Sequence, residues 1–302
     1  MKKGRVTNHI RHPLLLHEAC VLSLLRGHPN IPRVFAWGRS QYFEYMAMEL
    51  LGPDLEDFVS IAGLSQRNAV ALLDALEYIH GKGIVHCDVK PANICLGRGE
   101  NAGRLYLIDF GLAWRFTSGS STTKGWRGTV PYCSLRVLSG EAALPRDDLE
   151  SLAYTLARLS IGHLPWAFLP YDSDRGTVRG AELFQGHPAV FASFLDFALG
   201  LSPTDDLQYQ YQRWRDAFRA LEPGLGLPEH QCPVFDQQDR RSGERLWVPW
   251  SPPPTRSSSE ESDQVFVAVE GGRGGSAITT TATYSGGRNP GRRRGEITAS
   301  TS

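Results

Sequence analysis

The stretch "IVHCDVKPANICLG", residues 84–97, carries a carboxylate (Asp88), an ammonium group (Lys90) and an amide (Asn93) within six residues. Phosphoryl transfer asks for little covalent chemistry from a protein. It needs the acceptor hydroxyl oriented, metal ions placed and phosphate charge balanced. His86-Cys87-Asp88, followed after four residues by Asn93, offers a base for the hydroxyl proton and an amide oxygen for Mg²⁺. Lys90 lies between them, placed to meet the transferring phosphate. "LIDFGLA", 107–113, sets Asp109 sixteen residues after Asn93 at the end of an aliphatic run, with Gly111 giving the backbone freedom to turn that carboxylate toward metal. Glu18, in the first helical stretch, can hold a lysine by an ion pair. Each piece alone is a weak signal, but their order and spacing make chance a poor explanation.

These groups need elements to position them. "PLLLHEACVLSLLRGHPN" spaces Leu15, Cys20, Leu22 and Leu25 as a helix and breaks at Gly27 and Pro29. "IPRVFAWGRS" and "QYFEYMAMEL" are aromatic and β-branched runs separated by a Gly/Ser turn, which predicts two adjacent strands. "SQRNAVALLDALEYIHGKG" predicts a helix from a capping Ser65 to Gly81 and Gly83, with apolar positions at Ala69, Leu72, Leu76 and Ile79. Short strands at "ICL" and "RLYLID" follow, then a buried helix over "DDLESLAYTLARLSIG". A strand-rich piece with one helix, followed by a larger helical piece, predicts an α+β fold with two lobes.

Composition narrows the function classes. The 302 residues include 41% hydrophobic ones, enough for a sizeable core. Thirty-two basic residues balance 32 acidic ones, so no global charge calls for a nucleic acid or membrane surface as partner. No window approaches the roughly 18 apolar residues of a membrane helix. The five cysteines (20, 87, 95, 133 and 232) are scattered, with no C-x-x-C pair, which speaks against a disulfide framework or zinc site and for a reducing cytosol or nucleus. From about residue 223 Pro, Ser, Gly, Thr and Arg dominate, so 223–302 is expected to be a disordered tail, with Trp247 and Trp250 as a possible docking element.

With these motifs in place the sequence resembles the eukaryotic protein kinases, and within them the casein kinase I group. The closer match rests on "MELLGPDLEDF" (48–58), "LEYIHGKGIVH" (76–86), "LIDFGLA" (107–113), "GTVPYCS" (128–134) and "RDDLESLAYTLARL" (146–159). The resemblance implies a kinase-like domain over 1–222, with a small lobe over 1–50, whose strand set is incomplete, and a large lobe over 51–222. It implies Ser/Thr phosphorylation of proteins, acidic ones among them, with ATP and Mg²⁺. In this reading Asp88 is the base, Lys90 the phosphate contact, Asn93 and Asp109 the metal ligands, and Thr129 the bridge to Asp88 and Lys90. Lys3 and Glu18 form the phosphate-pairing couple, with Lys2 as the neighbouring option. Met48 guards the adenine pocket, Glu49 to Leu51 form the hinge, and Cys95 and Ile108 the floor. Asp148 matches the acidic residue that fixes the catalytic-loop backbone; a helix N-cap is its plainer reading.

The departures also carry expectations. The sequence opens inside what would be the third strand, ahead of which the family has a glycine-rich strand pair. The alternative reading is therefore a pseudokinase or scaffold. Cys87 replaces an arginine that receives an activation-segment phosphate, so that route of activation loses its receptor. Pro131 replaces an arginine that reads phosphate on primed substrates, with Lys124 and Arg127 nearby in sequence.

Overall fold

The computed structural model describes residues 1–6, 14–56, 64–116, 127–167 and 178–221, together with three strands nearer the C-terminus. It divides into two compact units: 1–26, 32–50 and 247–302 form the first, and 27–31 with 51–246 the second. The chain passes from one to the other between Leu50 and Leu51.

Among the described residues, the first unit is an antiparallel sheet with one helix. Strands β1 (Lys2–Arg5), β2 (Val34–Arg39) and β3 (Phe43–Met48) are joined by β8 (Phe266–Glu270), β9 (Ile278–Tyr284) and β10 (Ile297–Thr301) in the order β1-β3-β2-β8-β9-β10. Helix α1 (Leu14–Leu24) ends where Gly27 takes φ +109. It packs on β1, β2 and β3, with Leu22 and Leu25 buried beneath the sheet. A Cβ at Gly4 would stand 3.2 Å from Leu15 Cδ1, so glycine there lets β1 lie close on the helix. Strands β8 to β10 fall in the segment expected to lack structure. The expectation weighed overall composition and passed over the β-branched runs "FVAVE", "ITTTATY" and "ITAST", which have the side chains that suit a pleated surface.

The second unit is mainly helical. Helix α2 (Leu64–Gly81) buries Ala69, Leu72, Leu73, Leu76 and Ile79, a 3.6-residue stripe, and the backbone reverses at Gly83 with φ +75. It packs against α4 (Pro145–Ile161) and α7 (Gln208–Arg219), and α6 (Ala189–Gly200) packs on α4 and α7. Between them, Phe191, Phe194, Trp214 and Phe218 form an aromatic cluster, with Phe194 centred 5.2 Å from Trp214 and 5.6 Å from Phe218 at edge-on angles. Strand β4 (Ile84–Val85) pairs with β7 (Trp114–Arg115), and β5 (Ile94–Leu96) pairs with β6 (Leu105–Leu107). These two small ribbons frame the loop over 86–93 on one side, and α4 backs it on the other.

Phe194 is fully buried. Its replacement by alanine is expected to cost about 3–5 kcal/mol, read as a lowered urea midpoint at unchanged m-value. A loss under about 1 kcal/mol would show that the aromatic cluster is not the core of this unit.

Candidate active site

The site is built on the turn between β4 and β5. Asp148, on α4 and 1% exposed, accepts hydrogen bonds from His86 N (2.7 Å, to Oδ2) and Cys87 N (2.9 Å, to Oδ1). A buried carboxylate needs such donors. The N-cap contact of α4 belongs to its neighbour: Asp147 Oδ2 accepts Leu144 N at 2.8 Å. Asp148 thus has the loop-fixing role that the resemblance implies. The two amide bonds hold Cys87 at φ +70, a left-handed conformation that costs a non-glycine residue about 1–3 kcal/mol. This bend carries the next residue, Asp88, into the cluster described below.

Four of the residues picked out by sequence meet there. Thr129 Oγ1 donates to Asp88 Oδ1 at 2.7 Å and accepts from Lys90 Nζ at 2.6 Å. Lys90 Nζ also lies 2.9 Å from Asp88 Oδ2. Asn93 Nδ2 donates to the backbone oxygen of Asp88 (2.8 Å) and to Oδ2 (2.9 Å). A carboxylate offers about four acceptor sites, and these contacts use three, which leaves room for a substrate hydroxyl. Burial by itself would raise the Asp88 pKa. The hydrogen bonds from Lys90 and Thr129 and the lysine's charge outweigh it, and the carboxyl sits below its ordinary value.

His86 fixes the loop from inside. Its Nε2–H donates to Ile108 O at 3.0 Å and its Nδ1 accepts Asp88 N at 3.2 Å. Full burial lowers its pKa, against the pull of the Asp148 and Asp88 charges, in keeping with a neutral ring. Ile108 N in turn donates to Asn93 O at 2.9 Å, which ties the segment bearing Asp109 to the loop. Asp109 takes φ +64, and a Cβ at Gly111 would lie 3.3 Å from its Oδ1. Cys95 is buried in β5 opposite Tyr106. With Asn93 Nδ2 committed to Asp88, its amide oxygen and the Asp109 carboxylate are a hard-oxygen pair, the kind Mg²⁺ accepts beside waters and phosphate oxygens. No three-residue cluster of His, Cys, Asp or Glu suited to a metal occurs among the described residues.

Cys87 does not reach the cluster. It is buried with Val85, Val137 and Ala143, against which Leu112, Trp114 and Phe116 pack. Burial, then the Asp148 charge, pushes its thiol pKa well up, so it serves as an apolar filler. Arg127 is exposed, and Lys124 lies outside the described residues, as do Trp247 and Trp250. A cavity of about 1190 Å³ in this unit lies beside His80 and Tyr211, and none of the Asp88 cluster lines it.

In the first unit, the expectation for the lysine is corrected. Lys2, not Lys3, pairs with Glu18, at 2.7 Å, with Glu18 only 2% exposed. Lys2 lies opposite the buried Met46 in the β1–β3 ladder, on the face that meets α1. Lys3, one residue on, lies opposite Tyr45, and its Nζ stands 3.7 Å from the centre of the Phe43 ring. At the end of β3, Glu49 N donates to Arg33 O at 2.8 Å, and its carboxylate accepts Arg33 N at 3.2 Å. Met48 is half-buried.

A carboxylate joined to a lysine and a hydroxyl, and a separate Lys–Glu ion pair, are groups that phosphoryl transfer can use. Residues 1–180, more than half of the chain, match the family model of the protein kinase domain. The chain belongs to the protein kinase family, and its α+β architecture is that of a kinase domain. The family transfers phosphate to protein substrates and generally uses ATP and Mg²⁺.

Because the pKa of Asp88 is depressed in the folded state, its ionised form adds stability above the unfolded carboxylate pKa, and this is lost as pH falls through the folded value. Lys90→Met removes the main opposing cation. The acid limb of the kcat/KM–pH profile is expected to move to higher pH in that variant, whatever its height. An unmoved limb would detach Lys90 from the ionisation of Asp88.

Proposed function

We propose that the chain is a Ser/Thr protein kinase of casein kinase I type in which Asp88 is the general base. The observation that carries this reading is the closed set of contacts among Asp88, Lys90, Asn93 and Thr129. The Thr129 contact is itself an aliphatic hydroxyl on the Asp88 carboxylate at 2.7 Å, the geometry a general base needs toward a Ser or Thr hydroxyl. A threonine closing over the base suits a short acceptor side chain.

In this reading the substrate hydroxyl gives its proton to Asp88 as its oxygen bonds the γ-phosphorus and the bond to the ADP oxygen breaks. Lys90 faces the transferring phosphoryl group and offsets its charge. Asn93 and Asp109 would hold Mg²⁺, which would supply positive charge to offset the phosphates. Lys2, kept in place by Glu18, pairs with the nucleotide phosphates. Met48 and Glu49 in the first unit, and Leu51, Cys95 and Ile108 in the second, are the residues we assign to the adenine. The apolar packing of the Cys87 side chain, where many kinases have an arginine, supports catalysis without a phosphorylated activation segment. Pro131, where the group has an arginine, speaks against a preference for pre-phosphorylated targets. The packing of α6 and α7 on α2 and α4 supports a domain that extends past the matched residues to about 222. The five scattered cysteines, with no C-x-x-C pair among them, suit the cytosol or nucleus.

The test is phosphate incorporation from labelled ATP into casein or an acidic peptide, followed by phosphoamino-acid analysis. Asp88→Asn is expected to lose about 10²- to 10⁴-fold in rate. Lys2→Met is expected to abolish incorporation, while Lys3→Met keeps it. Equal rates for wild type and Asp88→Asn, or label on tyrosine alone, would sink this reading.

A further inference from the structure

The loop-fixing carboxylate has a third partner, which leads away from the active site. His80, in the last turn of α2 and 8% exposed, places Nε2 2.9 Å from Asp148 Oδ2. Its Nδ1 lies 2.5 Å from the hydroxyl of Tyr211, which is 4% exposed on α7. The roles in this chain follow from the chemistry of its ends. An ionised carboxylate only accepts, so Nε2 carries the hydrogen, and Nδ1 then accepts from the tyrosine O–H. Burial, with the Asp148 and Glu77 charges, pushes the Tyr211 pKa well up, in keeping with a protonated donor. The sequence runs Tyr211 O–H to His80, His80 N–H to Asp148, and Asp148 to the amides of His86 and Cys87.

Packing does not need this hydroxyl. Tyr211 sits on the helix that bears Trp214 and Phe218, where a phenylalanine ring would fill the same space. What the hydroxyl adds is a direction. Asp148 Oδ2 accepts both His86 N and His80 Nε2, so the imidazole sets the rotation of the carboxylate that the two loop amides rely on. The loop held in this way contains Cys87 at φ +70. A strained position has a relaxed alternative within about 1–3 kcal/mol, so a modest loosening of Asp148 shifts the population away from the bend that presents Asp88.

We propose that Tyr211 is a positioning residue for phosphoryl transfer, acting through His80 and Asp148 to keep the Asp88 loop in its reactive conformation. This rests on the reading of Asp88 as the base. Tyr211 touches no reacting atom, so its loss acts on kcat and leaves substrate affinity alone. In steady-state assays of the full chain with MgATP and an acidic peptide, scaled to folded protein, Tyr211→Phe is expected to lower kcat about 5- to 30-fold, the factor that goes with one lost buried hydrogen bond. KM for both substrates stays within about twofold. His80→Ala lowers kcat as well, and Tyr211→Phe combined with His80→Ala falls no further than His80→Ala alone. In the wild-type chain, ¹⁵N spectra of His80 are expected to show hydrogen on Nε2 and none on Nδ1, a readout independent of how the variants fold. An unchanged kcat for Tyr211→Phe, additive losses in the double variant, or the opposite His80 tautomer would each overturn the proposal. Asp88→Asn in the same assay separates the two failures. Full activity there removes the base assignment and the relay with it, whereas lost activity beside a wild-type Tyr211→Phe removes the relay alone.

Discussion

The carboxylate of Asp148 is the interaction from which the rest of the second unit takes its geometry. It is 1% exposed, and a charge so placed is tolerable only when its lone pairs are met. Two loop amides and one imidazole meet them. The same bonds hold Cys87 in a conformation its side chain disfavours, and that bend brings Asp88 beside Lys90, Asn93 and Thr129. Helix α4 supplies Asp148 and also Thr155, whose hydroxyl donates to Ser151 O at 2.8 Å and lies 3.2 Å from Val89 O of the loop. Burial of α4 between α2 and α6 therefore serves the loop directly: it fixes where the Asp88 carboxylate can stand.

A second ionic group on α4 holds the segment that follows Thr129. Arg136 donates to Asp147 Oδ1 at 3.0 Å and to Glu150 Oε2 at 2.7 Å, and Ser134 Oγ shares Asp147 Oδ1 at 2.7 Å. Trp166 Nε1 reaches Pro131 O at 2.8 Å. Gly128 takes φ +111, and a Cβ there would stand 2.4 Å from Cys87 O, so only glycine lets the two segments approach. Thr129 is thus held by Asp88 and Lys90 on one side and by the close approach of Gly128 to Cys87 on the other. Cys87 itself packs among Val85, Val137 and Ala143.

Much of the chemical core was legible because it is local. Asp88, Lys90 and Asn93 share one loop, and Asp109 follows at the end of the next ribbon, so spacing alone brings them near each other. Helices α2 and α4 announced themselves through their apolar stripes. The lysine was not legible in the same way. Lys2 and Lys3 are chemically equal, and a strand's period of two makes the choice depend on register, which sequence does not fix at a four-residue strand. The β1–β3 ladder decides it. Tyr211 was out of reach for another reason: it lies 131 residues from His80, on a helix for which the sequence had given no reading. His86 stood inside the quoted motif, but its role depends on backbone atoms of Ile108 and Asp88 that only the fold brings together.

The central claim is that a carboxylate at position 148 makes Asp88 a working base by holding its loop. Asp148→Asn keeps the shape, removes the charge and turns one acceptor into a donor. The phosphate-transfer rate of this variant, scaled to folded protein, tests the claim most directly. A fall of at least about tenfold is expected, the factor for weakening charge-assisted hydrogen bonds. A rate equal to that of the wild type would contradict the claim.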